Sequence, residues 1–187
     1  MEKYSNLDME NLEKKFFFNE KDIVNVYGSR ANIYKTIEPG KVAKIMKKRF
    51  SRDFSIDSLF DEDWYNNKEY NKKANKKMRK LENEVIMGKK AKEFGLNVPN
   101  VNGVYLIRNN DSGRSFPGLS IDFLDGQTVS KMTYDLKNKD VENKWKEEIK
   151  KAEKNFIIGD PTDRDNAIYV PKEDKVYLID FSDWKLK

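Results

Sequence analysis

The chain has 187 residues and a formal net charge of +5, from 37 lysines and arginines against 32 aspartates and glutamates. This length suits one compact domain or two small lobes that share a cleft. Cysteine and histidine are both absent. Their absence excludes disulfides, Cys/His zinc sites, thiol nucleophiles, Ser-His-Asp triads and imidazole acid–base catalysis. Any chemistry must therefore use carboxylates, lysine, arginine, amides and hydroxyls.

The N-terminal third predicts a small sheet. Residues 1–20 show little periodicity, and we expect a loose or helical arm there. Three short β-branched or aromatic runs follow from residue 23, and they read IVNVY, IYKTI and VAKIM. Pro39 and Gly40 predict a tight turn between the last two runs. This pattern is typical of a three-stranded antiparallel meander.

A long polar helix is predicted from about Asn67 to Phe94, with Gly95 as its stop signal. Its apolar stripe recurs at helical spacing and consists of Ala74, Met78, Leu81 and Val85. Another side carries lysines at four-residue intervals, namely Lys68, Lys72 and Lys76. The simplest interpretation of these lysines is a solvated face, and a docking site for an acidic partner is the alternative.

The remaining elements are two strands, a helix and a hairpin. The strands are predicted at 104–107 and 119–123, and a helix at 133–156 carries the stripe Val141, Trp145, Ile149, Ala152 and Phe156. Two last strands, AIYV at 167–170 and VYLI at 176–179, flank the connection PKEDK. The order predicts an α+β fold with a five-strand front half and a smaller helical back half.

The last hairpin gathers oxygen-bearing side chains. If its strands pair antiparallel, Ala167 faces Ile179 and Asn166 faces Asp180, one step beyond the pairing. Asp160 lies on the loop that leads into this hairpin. Carboxylate and amide oxygens suit a hard cation such as Mg²⁺. The alternative is that the aspartates are ordinary turn and strand-end residues.

Lys44 lies in the otherwise apolar run VAKIM. Burying an ammonium is costly unless it meets an anion, so Lys44 either points to solvent or meets a phosphate and a carboxylate. Glu84 flanks the apolar stripe of the long helix on the side that points towards this strand. Glu82 flanks the opposite side and is the competing partner.

These parts, in this order, resemble the protein kinase-like superfamily over residues 22–183. GSRANIY resembles a reduced Gly-rich loop, VAKIM the strand with the phosphate-binding lysine, and ENEVIMGKKAKEFGLNVPNV the helix whose glutamate pairs with that lysine. LSIDFLDGQTV resembles the hinge, and IIGDPTDRDNAIYV with VYLIDF resembles the catalytic loop and the metal-binding DFG strand. The compact branch of aminoglycoside-phosphotransferase-like, RIO-like and bacterial effector kinases is the most similar.

The resemblance implies ATP and Mg²⁺ as cofactors. The residues implied to contact ATP are Gly28, Ser29, Lys44 and the backbone of Asp122, Phe123 and Leu124. Glu84 is implied to hold Lys44, and Asp160 to orient or deprotonate the acceptor hydroxyl. The residues implied to bind Mg²⁺ are Asn166 and Asp180, with Asp165 as the alternative to Asn166.

The implied organisation is an arm at 1–21, an N-lobe of five antiparallel strands and a long helix at 22–124, and a reduced C-lobe at 125–187. Ile158 stands where these kinases usually have His or Tyr, and Ser182 follows the Asp-Phe pair. The chain stops soon after that motif. In this respect it is similar to minimal bacterial type III effector kinases, which depend on a host partner.

The expected function is therefore an ATP-dependent Ser/Thr protein kinase with a protein substrate and an activating partner at the Lys68, Lys72 and Lys76 face. A pseudokinase that binds or scaffolds is the main alternative, followed by a small-molecule kinase. A nucleic-acid partner is least favoured, because it rests only on the basic charge and the lysine run. No apolar run reaches the length of a membrane span, so we expect a soluble protein, cytoplasmic or secreted into a host cell.

Overall fold

A computed structural model describes residues 14–24, 31–46, 68–111 and 115–187. Five strands form one closed sheet in the spatial order β1-β2-β3-β5-β4. They are β1 (Lys14–Val24), β2 (Ala31–Thr36), β3 (Lys41–Met46), β4 (Val101–Asn109) and β5 (Ser115–Asp122). The first three strands form an antiparallel meander as predicted, but its first strand is β1 and not the run IVNVY at 23–27, of which residues 25–27 lie outside the described residues. Together with the helices described below, this sheet confirms the predicted α+β class.

The sheet differs from the prediction at its closure. Four of its neighbouring pairs are antiparallel, but β1 and β4 pair in parallel. The prediction of a purely antiparallel five-stranded sheet is therefore wrong. So is the prediction of a loose or helical arm where residues 14–20 lie, because these residues belong to β1. The three consecutive phenylalanines at 16–18 have the aromatic character that favours a strand.

The long helix α1 (Lys68–Glu93) confirms the predicted helix to within one residue at each end. Its C-terminus is closed by two backbone hydrogen bonds, from Gly95 N–H to Lys92 O at 3.0 Å and from Leu96 N–H to Ala91 O at 3.1 Å. Gly95 has φ +75°, the left-handed conformation that this closing motif requires. The helix therefore ends where the glycine predicted it.

Two short helices and five short strands complete the described chain. They are β6 (Gln127–Thr128), α2 (Val129–Tyr134), α3 (Lys139–Ala152), β7 (Phe156–Ile157), β8 (Ala167–Val170), β9 (Lys175–Leu178) and β10 (Lys185–Leu186). β8 lies between β6 and β9 in one small sheet, and β7 pairs with β10 in another.

The single helix predicted over 133–156 is wrong, because the chain forms α2 and α3 instead. The side chain of Asn138 accepts hydrogen bonds from the N–H groups of Asp140 and Val141, so it caps a new helix. Lys137 before it has φ +50°, which a continuous helix does not allow. The apolar stripe itself is correct: Val141 and Trp145 are buried on α3, and Phe156 is buried on β7.

The main hydrophobic cluster joins α1, one face of the closed sheet, α3 and the C-terminal strands. Its members include Leu81, Leu119, Trp145, Leu178, Phe181 and Trp184. A smaller cluster of Ala43, Ile45 and Ile107 lies on the other face of the sheet. Because alternate residues of a strand point to opposite faces, Lys44 points with its cross-strand neighbour Leu119 towards α1. None of the helices in the described ranges combines the length and apolar character that crossing a bilayer requires.

Gly126 separates the closed sheet from the C-terminal part, and a methyl group there would overlap the carbonyl oxygen of Tyr169. We expect Gly126→Ala to lower the free energy of unfolding by about 2 to 3 kcal/mol, because the backbone must shift. Gly95→Ala meets no atom within 4 Å and should lose only the roughly 1 kcal/mol of left-handed strain. Urea unfolding measures both. Equal losses would contradict the close approach at Gly126.

Candidate functional site

A buried ion pair joins β3 to α1. Lys44 Nζ lies 2.8 Å from Oε1 and 2.9 Å from Oε2 of Glu84. Lys44 is 8% exposed and Glu84 only 1%. The predicted pair is therefore confirmed, and Glu84 rather than Glu82 is the partner. The charge of Glu82 interacts instead with Arg79 on the same helix.

Asp180 is the second carboxylate at Lys44. Its Oδ1 atom lies 3.1 Å from Lys44 Nζ. That oxygen is buried, and its contact with the ammonium is an ion pair. Asp180 has φ +64°, a left-handed conformation that costs a non-glycine residue about 1 to 2 kcal/mol. Such strain persists only where the surrounding structure holds it, and it is frequent at functional sites.

The three charges shift one another's protonation. Burial lowers the pKa of Lys44, but the attraction of Glu84 and Asp180 outweighs burial and the net pKa is raised. Burial raises the pKa of Asp180, but the Lys44 ammonium and hydrogen bonds from Ser182 outweigh it and hold that pKa below its usual value. Burial also raises the pKa of Glu84, against the effect of Lys44. Lys44 and Asp180 are thus both charged at neutral pH.

One face of α1 holds the turn that follows Asp180. The side-chain amide of Asn83 donates to the carbonyl oxygens of Phe181, Ser182 and Trp184 at 3.3, 3.0 and 3.0 Å. Lys80 Nζ contacts both carboxylate oxygens of Asp183, at 2.7 and 2.9 Å. One turn further along, a Cβ at Gly88 would lie 3.3 Å from the ring of Phe181.

These contacts of Lys80, Asn83 and Gly88 were not predicted from the sequence. The available signal was their spacing, because Lys80 and Gly88 each lie four residues from Glu84, and Asn83 lies three residues from Lys80. Their partners are backbone carbonyls, an exposed aspartate and a phenylalanine ring, and none of these has a sequence signature.

The register of the last hairpin differs from the prediction by one residue. Ala167 pairs with Leu178 rather than with Ile179. Ile179 N–H donates to Asn166 O at 2.9 Å, so Asn166 lies opposite Ile179 and not opposite Asp180. The cause is the turn: Asp174 adopts φ +54°, and a four-residue connection replaces the predicted five. Asn166 and Asp180 are still neighbours across this hairpin end, displaced by one position.

Asp160 lies on an exposed loop beside the turn that follows Asp180. Its Oδ1 accepts hydrogen bonds from Thr162 N–H at 3.2 Å and from Thr162 Oγ1 at 2.9 Å. A Cβ at Gly159 would lie 2.8 Å from the Cβ of Asp183, so the loop touches the segment that follows Asp180. The structure therefore brings Asp160 to the same end of the molecule as Asp180 and Asn166.

Arg164 attaches the loop that carries Asp160 to the neighbouring helices. Its guanidinium donates to Thr133 Oγ1 at 3.1 Å and to Glu142 Oε1 at 2.8 Å. The same group lies over the ring of Trp145 at 5.2 Å. These contacts attach the loop to α2 and α3, and Asp163 caps the short 3₁₀ turn at 164–166. Asp165 and Asn166 are half-buried in that turn.

The predicted adenine-binding backbone is partly occupied. Asp122 N–H donates to Asn100 O at 3.0 Å, and Phe123 N–H donates to Gly40 O at 2.9 Å. The carboxylate of Asp122 pairs with Lys41. Among the three predicted positions, only Leu124 has an N–H that no described residue accepts. Gly28 and Ser29 lie outside the described residues, and so do the side chains of Lys68, Lys72 and Lys76 on α1.

Asp180 and Asn166 at the hairpin end offer oxygen atoms of the kind that a hard cation binds. The buried Oδ1 of Asp180 has no hydrogen-bond partner, and the half-buried amide of Asn166 lies across the hairpin. In the part of the chain that the structure describes, no three carboxylates come together as a metal-binding group. One carboxylate and one amide suit Mg²⁺, which takes its other ligands from phosphates and water.

No protein-family model matches the chain, and none of the curated proteins matches it either.

The energetic coupling between Lys44 and Glu84 can be measured through protein stability. Lys44→Met should lower the free energy of unfolding by about 3 to 5 kcal/mol, because it leaves buried carboxylates without their cation. Adding Glu84→Leu should recover part of this loss, since the buried unpaired charge is then removed. Lys80→Met, which breaks a more exposed pair, should cost no more than about 1 kcal/mol. Denaturant unfolding of the wild type and these three variants gives the values, and a double variant no more stable than Lys44→Met would contradict the coupling.

Asp180 predicts a pH dependence. Its pKa is lower in the folded than in the unfolded chain, so its stabilisation is complete above the unfolded pKa, about 3.9, and is lost as pH falls through the folded pKa. We expect the stability difference between the wild type and Asp180→Asn to be constant between about pH 6 and 8 and to shrink below about pH 4. Chemical denaturation across this range measures it. A difference that grows on acidification would show that Asp180 is not held as a carboxylate by Lys44.

Proposed function

We propose that this chain is an ATP- and Mg²⁺-dependent phosphotransferase with a protein kinase-like fold. The observation that carries the proposal is the buried Lys44 ammonium between the carboxylates of Glu84 and Asp180. A buried charge triad is retained at a cost in desolvation, and anion-binding chemistry is a reason to retain it. The strand order and the insertion of α1 between β3 and β4 also support the proposal.

The three side chains of the triad, Lys44, Glu84 and Asp180, differ in their exposure to solvent. The side chain of Glu84 is 2% exposed and that of Lys44 10%, but that of Asp180 is 29% exposed. An anion therefore reaches the ammonium from the side of Asp180. Glu84 lies behind Lys44 and fixes its position through both carboxylate oxygens.

Each residue then has a role in phosphoryl transfer. Lys44 binds phosphate oxygens of ATP, Asp180 and Asn166 hold Mg²⁺, and Asp160 accepts the proton of the acceptor hydroxyl. Mg²⁺, when bound, neutralises negative charge on the phosphates. The acceptor oxygen forms a bond to the γ-phosphorus while the bond to the β-γ bridging oxygen breaks, and ADP leaves. Such catalysis needs mainly positioning and charge neutralisation, which a chain without histidine or cysteine can supply.

The resemblance to minimal effector kinases narrows the proposal to Ser/Thr side chains of a protein as acceptors. It also implies an activating protein partner, with the lysines of α1 as its contact. Neither the acceptor nor the partner follows from the Lys44 triad, because the triad acts on the nucleotide.

A pseudokinase is the second candidate, and two observations favour it. The carboxylate of Asp160 is bonded within its own loop by Thr162, whereas a proton acceptor must face the substrate hydroxyl. The N–H of Phe123 is taken by Gly40, which removes one backbone donor from the predicted adenine contact. Such a module would bind a protein partner without transferring phosphate.

Nucleotide-dependent thermal stability tests the first proposal. ATP at about 100 times its Kd should raise the free energy of unfolding of the wild type by about 2.7 kcal/mol. The Kd for ATP should be lower with Mg²⁺ than without it. Asp180→Asn should abolish the Mg²⁺ dependence of the ATP-induced stabilisation, because Asp180 is the carboxylate of the proposed ligand pair Asp180 and Asn166. Asp174→Asn is the matched control, since Asp174 is also left-handed, at φ +54°, but lies in the remote hairpin turn; it should respond like the wild type.

Transfer of radiolabelled phosphate to a mixture of proteins then separates the two candidates. A kinase loses transfer in Asp160→Asn and Asp180→Asn while both variants stay folded. Nucleotide binding without transfer would favour the pseudokinase. Absence of any nucleotide response in the wild type would overturn the phosphotransferase proposal.

A further inference from the structure

Three carbonyl oxygens converge on one side chain of α1. Asn83 Nδ2 lies 3.3 Å from the carbonyl oxygen of Phe181, 3.0 Å from that of Ser182 and 3.0 Å from that of Trp184. A side-chain amide has only two N–H donors, so at least two of the carbonyls share one of them. The turn also has its own bond, from Trp184 N–H to Phe181 O at 3.1 Å.

Asn83 is the main polar attachment of this turn to α1 among the described residues. The pair of Lys80 and Asp183 is more exposed, with side chains 27% and 53% accessible, and such pairs contribute little. The rings of Phe181 and Trp184 pack at 5.0 Å, but apolar packing does not determine the orientation of a carbonyl group. The direction of the backbone after Asp180 therefore depends on the Asn83 amide together with the hydrogen bonds that Ser182 donates to Asp180.

The contacts form a closed ring. Asn83 and Glu84 are consecutive on α1, Glu84 binds Lys44, and Lys44 contacts Asp180. Asp180 is bonded to Phe181, whose carbonyl returns to Asn83. The left-handed backbone of Asp180 is thus fixed at two points. Lys44 holds its side chain, and Asn83 holds the carbonyl groups that follow it.

We propose that Asn83 is a positioning residue that orients the Asp180 carboxylate for Mg²⁺ through the carbonyls of the 181–184 turn. This inference rests on the proposed function, because it assigns the metal to Asp180. Asn83 itself touches neither nucleotide nor metal. Its loss would let the turn leave α1 and relax the left-handed conformation of Asp180, while Lys44 and Glu84 stay paired.

The test is the Mg²⁺ concentration that gives half of the nucleotide-induced thermal shift. Asn83→Leu keeps four side-chain heavy atoms branched at Cγ but has no donors, and it should raise this concentration about tenfold, as loss of groups behind a metal ligand does. Nucleotide binding without Mg²⁺ should change little. Asn138→Leu is the control: it removes the cap of α3 and destabilises the protein, but it should leave the Mg²⁺ midpoint unchanged.

A spectroscopic signature accompanies the midpoint. The chain has 3 tryptophans, so 5-fluorotryptophan labelling gives a ¹⁹F signal for Trp184 in the turn. Asn83→Leu should shift or broaden that signal without ligand, whereas the control should not. Asn83→Gln keeps the amide one methylene further out and should recover part of both effects. If Asn83→Leu does not fold, Asn83→Ser, with a single shorter donor, replaces it.

The outcomes separate the two proposals. A wild type without any Mg²⁺-dependent nucleotide response overturns the proposed function and this inference together. A responsive wild type whose midpoint is unchanged in Asn83→Leu overturns only the role of Asn83. An equal rise in Asn138→Leu has the same meaning, because general destabilisation would then explain the effect.

Discussion

The buried ammonium of Lys44 is the constraint on which the rest of this structure depends. A charged group removed from water destabilises the fold unless opposite charge and hydrogen bonds compensate for its hydration. Glu84 supplies opposite charge and two hydrogen bonds from α1, and Asp180 supplies a second opposite charge from the chain after β9. Three elements distant in sequence must therefore meet at one point. The face of α1 that carries Glu84 is the same one that receives the turn after Asp180.

Several parts of this arrangement follow from the sequence. An apolar strand interrupted by one lysine, and a helix with a glutamate beside its apolar stripe, predict the pair of Lys44 and Glu84. The helix ends where glycine permits the left-handed conformation. The apolar positions of α3 follow from helical spacing, although its start does not. There the Asn138 cap and the positive φ of Lys137 interrupt what periodicity alone would continue.

Other parts depend on contacts that leave no pattern in the chain. The hairpin register moved by one residue because Asp174 adopts a left-handed conformation, which aspartate permits but does not require. The role of Asn83 depends on backbone carbonyls, which every residue has. The parallel pairing of β1 with β4 is a long-range choice, and β-strand propensity says where a strand forms but not which partner it takes. The resemblance to kinases rests on the order of motifs and is tested by nucleotide binding, not by the fold class.

Closure of the sheet has a consequence for synthesis of the chain on the ribosome. The meander of β1, β2 and β3 is made first, but the outer edge of β1 waits for β4 and that of β3 waits for β5. Roughly 60 to 75 further residues must be translated before both partners exist, which takes about 3 to 15 s at ordinary elongation rates. During this interval two strand edges with unpaired backbone groups are open to association with other nascent chains. Chaperone dependence during translation is the expected result, even though the finished sheet has no free edge.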